Sequence, residues 1–94
     1  MDNSWGLLCD AIIALETKDE CVRFLKDLLT PQEMATIANR WMTARLLDEG
    51  LTQREVVTRL GVSLATVSRV NRALKFGEGG YQLIMKKLQE SKSS

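Results

Sequence analysis

The chain has 94 residues, of which 45% are hydrophobic and 27% charged, and its net charge is +1. This length and composition suit one small folded domain and exclude collagen-like, proline-rich and prion-like chains. Uncharged stretches fall far short of the roughly 20 residues that a membrane span needs, so we expect no membrane segment. The N-terminus has no Lys or Arg ahead of its first apolar residues, so we expect no secretory signal peptide and a cytoplasmic protein.

The chain contains two cysteines, Cys9 and Cys21, and no histidine. These residues cannot complete a four-ligand Cys/His zinc site within one chain, and we expect no metal or other cofactor. Both cysteines stand beside apolar neighbours, so we expect two buried, reduced thiols.

Charge is distributed unevenly along the chain. Residues 1–29 carry three Lys or Arg against six Asp or Glu, a net charge of −3, whereas residues 52–76 carry five against Glu55 alone, a net charge of +4. A positive segment within a nearly neutral chain is the pattern expected when one surface meets a polyanion. A solvated basic helix face is the simpler alternative.

Helix starts are indicated by the pattern Thr-x-x-Glu, which occurs at Thr17, Thr30 and Thr52. Each is a candidate capping box, in which the Thr hydroxyl and the Glu carboxylate accept hydrogen bonds from otherwise unpaired backbone N–H groups. Pro31 suits the first position of the helix that follows Thr30.

Apolar spacing predicts an all-α chain of six helices in one domain spanning residues 1–94. The predicted helices are residues 4–15, 18–29 and 31 to near Gly50, two shorter helices around Gly61 within residues 52–76, and a last helix over residues 81–90. The third helix has an unusually broad apolar arc for so small a chain. Such an arc is covered on more than one side, either centrally within the single chain or by a second chain. We expect the second chain, with residues 4–50 as the dimerisation helices of a homodimer.

Residues 52–76 have the layout of a helix-turn-helix unit. Val56, Val57 and Leu60 fall on the inner side of a short first helix, and Gly61 supplies the left-handed turn. Val62 is placed to fill the corner and Ser63 to cap the second helix. On that second helix Val67, Val70 and Leu74 form one narrow stripe that we expect to be buried.

The opposite side of the second helix is uncharged at its start and basic further along. At about 100° per residue, one face carries Leu64, Ala65, Ser68, Arg69, Arg72 and Lys75. Short side chains allow the helix start to approach base edges in a major groove, and arginines can bind guanine or phosphate. We therefore predict that this segment binds double-stranded DNA.

Residues of the helix-turn-helix and of the helices before it resemble those of a known family. The elements that carry the resemblance are Gln53-Arg54-Glu55, Gly61, Ala65-Thr66, Arg69 and Leu74-Lys75, preceded by Leu28-Leu29-Thr30-Pro31 and Leu46-Leu47. Over approximately residues 7–88 the chain resembles the tryptophan repressor superfamily, and its Tyr81 region is closer to the YerC/YecD-type branch. The resemblance implies six helices, an intertwined homodimer and operator DNA bound by two symmetric helix-turn-helix units.

Residue geometry and resemblance together give the candidate DNA-binding residues. The resemblance implies that Gln53 and Arg54 meet the DNA backbone or nearby bases. The full set is Gln53, Arg54, Ser63, Leu64, Ala65, Thr66, Ser68, Arg69, Arg72 and Lys75. The expected function is a sequence-specific transcriptional regulator of the repressor type.

The chain departs from the family at the corepressor site. Members that bind tryptophan have a Gly directly after the arginine that matches Arg69, and a Ser three residues beyond that Gly. This sequence has Val70 and Ala73 there, so a side chain fills the space for the indole and a ligand-binding hydroxyl is missing. We expect no tryptophan corepressor.

Other classes of function fit less well. An enzyme is not expected, because the chain has no His, no Gly-rich phosphate loop and no nucleophile beside a base. A protein-binding adaptor with the same helical fold remains the alternative, but it has no need for Arg69, Arg72 and Lys75 on one face. Sequence-specific RNA modules usually present stacking aromatics, which residues 52–75 lack.

Overall fold

The computed structural model describes residues 3–93, which form six α-helices and no strand. In chain order the helices are α1 (Ser4–Ile13), α2 (Lys18–Leu28), α3 (Pro31–Asp48), α4 (Gln53–Leu60), α5 (Leu64–Phe76) and α6 (Gly80–Ser93). The prediction of an all-α chain with six helices is confirmed. None of these helices is long and apolar enough to cross a membrane.

Reciprocal capping boxes begin α3 and α4. The Thr30 N–H donates to the Glu33 carboxylate at 2.9 Å, and the Glu33 N–H donates to the Thr30 hydroxyl at 3.1 Å. Thr52 and Glu55 form the same pair of bonds at the same two distances. These bonds pair backbone donors that the first turn of a helix leaves free.

The third predicted box, at the start of α2, is only half formed. The Thr17 hydroxyl accepts from the Glu20 N–H at 3.1 Å, as predicted. The Glu20 carboxylate, however, accepts from the N–H of Glu16 at 2.9 Å, one residue further back than a reciprocal box requires.

Helix ends differ from the prediction by a few residues. α1 stops at Ile13, two residues early, because the N–H of Leu15 bonds to the Ile12 carbonyl in a tightened last turn and the next residue is taken into the cap of α2. α3 stops at Asp48, and Gly50 takes the predicted positive φ, 103°. α6 begins one residue before and ends three residues after the predicted 81–90.

The described residues divide after Ala35 into two compact units, and the division lies inside α3. In the first unit, neither α1 nor α2 contains a buried residue. Trp5 is 67% exposed and Ile13 is 79% exposed. Both cysteines are free, but Cys9 is exposed and Cys21 only half-buried, so the predicted burial of these thiols is wrong for the single chain.

The core of the second unit joins the end of α3 to α4 and α5. Its centre is Leu46, Val56 and Val67, which are 7%, 0% and 0% exposed. Half-buried apolar residues surround this centre: Leu47, Leu51, Val57, Leu60 and Val62. The core therefore holds α4 and α5 against the last turns of α3.

α6 belongs to the same unit, and its first turn contacts α3 and α5 through Tyr81 and Gln82. The Trp41 ring of α3 stacks on the Tyr81 ring, with centroids 6.2 Å apart and planes inclined by 23°. The Gln82 side-chain amide donates to the Leu74 carbonyl in the last turns of α5. Both contacts begin directly after the glycine-rich connection at residues 77–80.

Candidate nucleic-acid interface

α4 and α5 form the predicted helix-turn-helix. Gly61 ends α4 with φ 68° and ψ 26°, and its N–H bonds to the Val57 carbonyl. A side chain at this left-handed position is strained, which explains the requirement for glycine. After Val62, Ser63 caps α5 by accepting from the Thr66 N–H at 3.1 Å.

The predicted inner stripe of α5 is buried at two of its three positions. Val67 is 0% exposed and Val70 is 1% exposed, whereas Leu74 is half-buried. Val62 packs at the corner between the helices, and Val56, Val57 and Leu60 of α4 all contribute to the core. This packing fixes which face of α5 points outward.

Most of the candidate DNA-binding side chains lie on the outward face. The exposed members are Arg54, Ser63, Leu64, Ala65, Ser68, Arg69, Arg72 and Lys75. Gln53 and Thr66 are half-buried. The large apolar side chain of Leu64 is 58% exposed at the first position of α5, where packing within the chain does not account for it. We call the surface formed by these ten candidate residues the α5 face, because most of them lie on α5.

The cations of this segment form no salt bridge within the described residues. Within residues 3–93, none of the five Arg and Lys side chains of the helix-turn-helix lies within salt-bridge distance of a carboxylate; the ion pair that does form joins Arg23 to Asp19 on α2, at 3.8 Å. Cations without carboxylate partners produce a positive potential over the α5 face.

Glu55, the one acidic residue of the segment, is held at the start of α4. The hydrogen bond from the Thr52 N–H, together with the Thr52 side chain and the nearby positive charge of Arg59, lowers the pKa of the Glu55 carboxyl. The charged form is therefore the one that the cap stabilises.

The hydroxyl groups at the start of α5 form a local pair. The Ser63 hydroxyl, which already accepts from the Thr66 N–H, donates its own proton to the Thr66 Oγ1 at 3.0 Å. The Ser63 proton is thus used within the chain, whereas the Thr66 hydroxyl keeps its proton for another acceptor. Ser63 therefore acts first as a cap and positions Thr66.

A contact that sequence reasoning missed joins the two helices at the α5 face. The Ser68 hydroxyl donates to the Gln53 Oε1 at 3.1 Å across a separation of 15 residues. No pattern in the sequence indicates this bond, because it depends on the register between α4 and α5.

The structure also describes Val70, the residue from which we expect no tryptophan corepressor. Val70 is 1% exposed, so its side chain occupies space in the packed interior. The neighbouring surface has an open depression of about 340 Å³ lined by Arg69, Arg72, Ala73, Phe76 and Gly77, and Val70 is not among its lining residues. Within the described residues no cluster of three or more His, Cys, Asp or Glu could hold a metal ion.

Comparison with known proteins decides the family. The family model described as Trp repressor protein matches residues 3–89. The chain belongs to the Trp repressor family. This membership confirms the resemblance seen in the sequence.

Individual relatives are similar over most of their length. The uncharacterized protein YerC of Bacillus subtilis is 37% identical over 86 residues, which cover 92% of this chain and 83% of YerC. A Trp operon repressor homolog of Chlamydia caviae is 32% identical, covering 93% of this chain and 87% of that protein.

A solved structure from Staphylococcus aureus, described as a candidate Trp repressor, has a TM-score of 0.89 and 32% identity. The match covers 95% of this chain and 89% of that one. The family fold is therefore shared along nearly the whole chain.

Proposed function

We propose that this protein is a homodimeric, sequence-specific DNA-binding regulator that represses transcription. The observation that carries the proposal is the α5 face: an uncharged start with exposed Leu64 and Ala65, continued by Arg69, Arg72 and Lys75 on the same side. The buried Val67 and Val70 hold this face outward. A face of this kind fits a major groove, with its start against base edges.

The positions of the Arg and Lys side chains along the helix-turn-helix suggest two kinds of DNA contact. Arg69 follows the uncharged start by one turn of α5, where it reaches base edges. Arg54 at the start of α4, and Arg72 and Lys75 toward the end of α5, meet the phosphate backbone. Phosphate contacts set the register of the helix in the groove, and base contacts select the sequence.

The dimer is supported by the apolar surface of the first unit. α1 and α2 expose Trp5 and Ile13 and bury no residue in the single chain. A segment that buries so little apolar surface cannot be stable alone. A second copy that covers α1 and α2 supplies the missing burial, and its two-fold symmetry places two α5 faces on one DNA duplex.

The direction of regulation follows the family. The Chlamydia caviae relative is named as a homolog of a repressor, and we extend repression from that protein to this chain. The proposed regulator acts in the cytoplasm, without catalysis and without tryptophan as corepressor.

Selection of DNA from a random duplex pool tests the proposal. The full chain should enrich a two-fold symmetric sequence whose half-sites lie about one helical turn, or a multiple of it, apart. The matched control is Leu64→Asp, which places a negative charge at the start of the α5 face and should enrich no sequence. A wild-type protein that stays folded and enriches no sequence would favour the adaptor instead.

A further inference from the structure

The bond between Ser68 and Gln53 gives each side chain a defined hydrogen-bonding character. Gln53 carries one acceptor oxygen and one donor NH₂ group, and its Oε1 accepts from Ser68. Ser68 carries one proton and two lone pairs, and its proton is used in the same bond. Gln53 is therefore left with its two Nε2 protons as donors, and Ser68 with lone pairs only.

The two residues differ in where they lie on the α5 face. Gln53 is the first residue of α4 and is half-buried, while Ser68 is exposed in the second turn of α5, between Ala65 and Arg69. In the helix-turn-helix arrangement the start of the first helix lies near the DNA backbone and the start of the second lies in the groove. In that arrangement the Nε2 donors of Gln53 would lie near phosphate, and the free lone pairs of Ser68 would lie near the bases.

We propose that the Ser68–Gln53 hydrogen bond makes Ser68 an acceptor at the DNA surface, so that Ser68 selects a base with an exocyclic amino group. In the major groove that base is adenine or cytosine on the contacted strand, because guanine and thymine present only acceptors there. Gln53 is the positioning residue of this contact, in addition to donating to a phosphate. The inference rests on the proposed DNA-binding function.

The substitution that tests the proposal is Gln53→Ala. Without the Gln53 oxygen, the Ser68 hydroxyl can rotate and either donate or accept. A residue that contacted only phosphate would change affinity for all sequences evenly and leave base preference unchanged. Loss of a preference on removal of Gln53 is therefore an effect that phosphate binding alone does not produce.

The experiment is random-pool selection followed by fluorescence anisotropy with duplexes that differ at one position. At one position of each half-site, wild-type protein should prefer pairs with adenine or cytosine on one given strand over pairs with guanine or thymine on that strand, by about threefold to tenfold. Gln53→Ala should reduce this preference below about twofold, and Ser68→Ala should remove it at the same position. Gln53→Glu, whose carboxylate still accepts from Ser68, should keep the preference while binding all duplexes more weakly.

Lys75→Ala is the matched control, since it removes an exposed cation of the same face and should lower affinity without altering that preference. Circular dichroism melting checks that every variant is folded. A preference for purines over pyrimidines, a preference for A·T over G·C pairs in either orientation, or a preference that Gln53→Ala leaves intact overturns the assignment while DNA binding itself stands. Failure of the wild type to enrich any sequence overturns both proposals together.

Discussion

Arg69 and Arg54 are both exposed and both lie on the α5 face, but they belong to different helices of the helix-turn-helix. Arg69 is one turn beyond Ala65 in the segment that we place in the groove, whereas Arg54 is in the first turn of α4. Neither guanidinium lies within salt-bridge distance of a carboxylate in residues 3–93. We therefore propose that Arg69 recognises bases and that Arg54 binds the DNA backbone.

Arg69→Ala should weaken binding to the selected duplex by about 1–3 kcal/mol and weaken binding to a scrambled duplex much less, because it removes a base contact. Arg54→Ala should weaken both duplexes by similar amounts, because it removes a phosphate contact. Fluorescence anisotropy at one fixed salt concentration measures both. Arg23→Ala, which removes the same charge from α2, is the control. Equal losses on both duplexes for Arg69→Ala would exclude base reading.

Val70 leads us to expect that tryptophan does not regulate this protein. The Val70 side chain is packed in the interior and Ala73 has no hydroxyl, so the ammonium and carboxylate of a bound amino acid would lack at least one partner. Calorimetric titration with L-tryptophan up to millimolar concentration should give no heat of binding. DNA affinity should not change when tryptophan is added.

The double substitution Val70→Gly with Ala73→Ser tests the steric reason, since it reopens the space and returns a hydroxyl. Detectable tryptophan binding by this variant would agree with the argument. Saturable binding by the unmodified protein, with DNA affinity rising in step, would show that other residues build the pocket.

At the scale of a helix, α4 depends on its first turn. It has only eight residues, and Val56 is its one buried side chain. An isolated helix this short is only marginally stable in water. The capping box and the packing on the core therefore both stabilise α4.

Thr52→Ala should lower the free energy of unfolding by about 1 kcal/mol, because it removes the hydroxyl that caps α4. Thr58→Ala is the matched control: it makes the same change at an exposed position inside α4, where Ala is the better helix former. Urea unfolding at one fixed protein concentration compares them. Equal effects of the two substitutions would mean that the cap contributes nothing.

Glu55 makes the same cap sensitive to pH. Because the folded-state pKa of Glu55 lies below the ordinary value for a glutamate, the ionised carboxylate stabilises α4 at neutral pH. That contribution is lost as the pH falls through the folded-state pKa. An NMR titration of the Glu55 side chain should give a midpoint below the ordinary value, and Thr52→Ala should move it upward. A wild-type midpoint at or above the ordinary value is the contrary result.

The sequence predicts the helices well because their signals are local. Thr52 and Glu55 stand three residues apart, Gly61 marks a left-handed turn, and the α5 stripe repeats within two turns. Ser68 and Gln53 meet only because two helices cross in one register, which no local pattern states. Cys9 shows a second limit, since apolar neighbours predict burial without saying whether the same chain or another one provides it.

At the scale of the whole molecule, the two units differ in how they bury apolar surface. Residues 36–94 contain the core around Leu46, Val56 and Val67, whereas α1 and α2 in the other unit have no buried residue. Charge differs as well, with −3 over residues 1–29 and +4 over residues 52–76. These differences support the proposal that the first region forms the dimer and that the second binds DNA.

Sedimentation equilibrium at low micromolar concentration should give twice the chain mass of 10.6 kDa. Ile13→Asp, which places a charge on a residue that is 79% exposed in the single chain, should abolish the dimer. Leu64→Asp makes the same kind of change on the α5 face, where the side chain is 58% exposed, and should leave the mass unchanged. A stable, folded monomer of the wild type would refute the dimer.

The exposure of α1 and α2 in the single chain has a consequence for how operator occupancy depends on the amount of this protein. If chains bury these helices only by meeting one another, a newly made chain stays open to proteases until it finds a second copy. The concentration of assembled regulator then rises with the square of the chain concentration when chains are scarce, and in proportion to it when they are plentiful. A modest change in synthesis rate would thereby produce a sharper change in operator occupancy than a monomeric regulator could give.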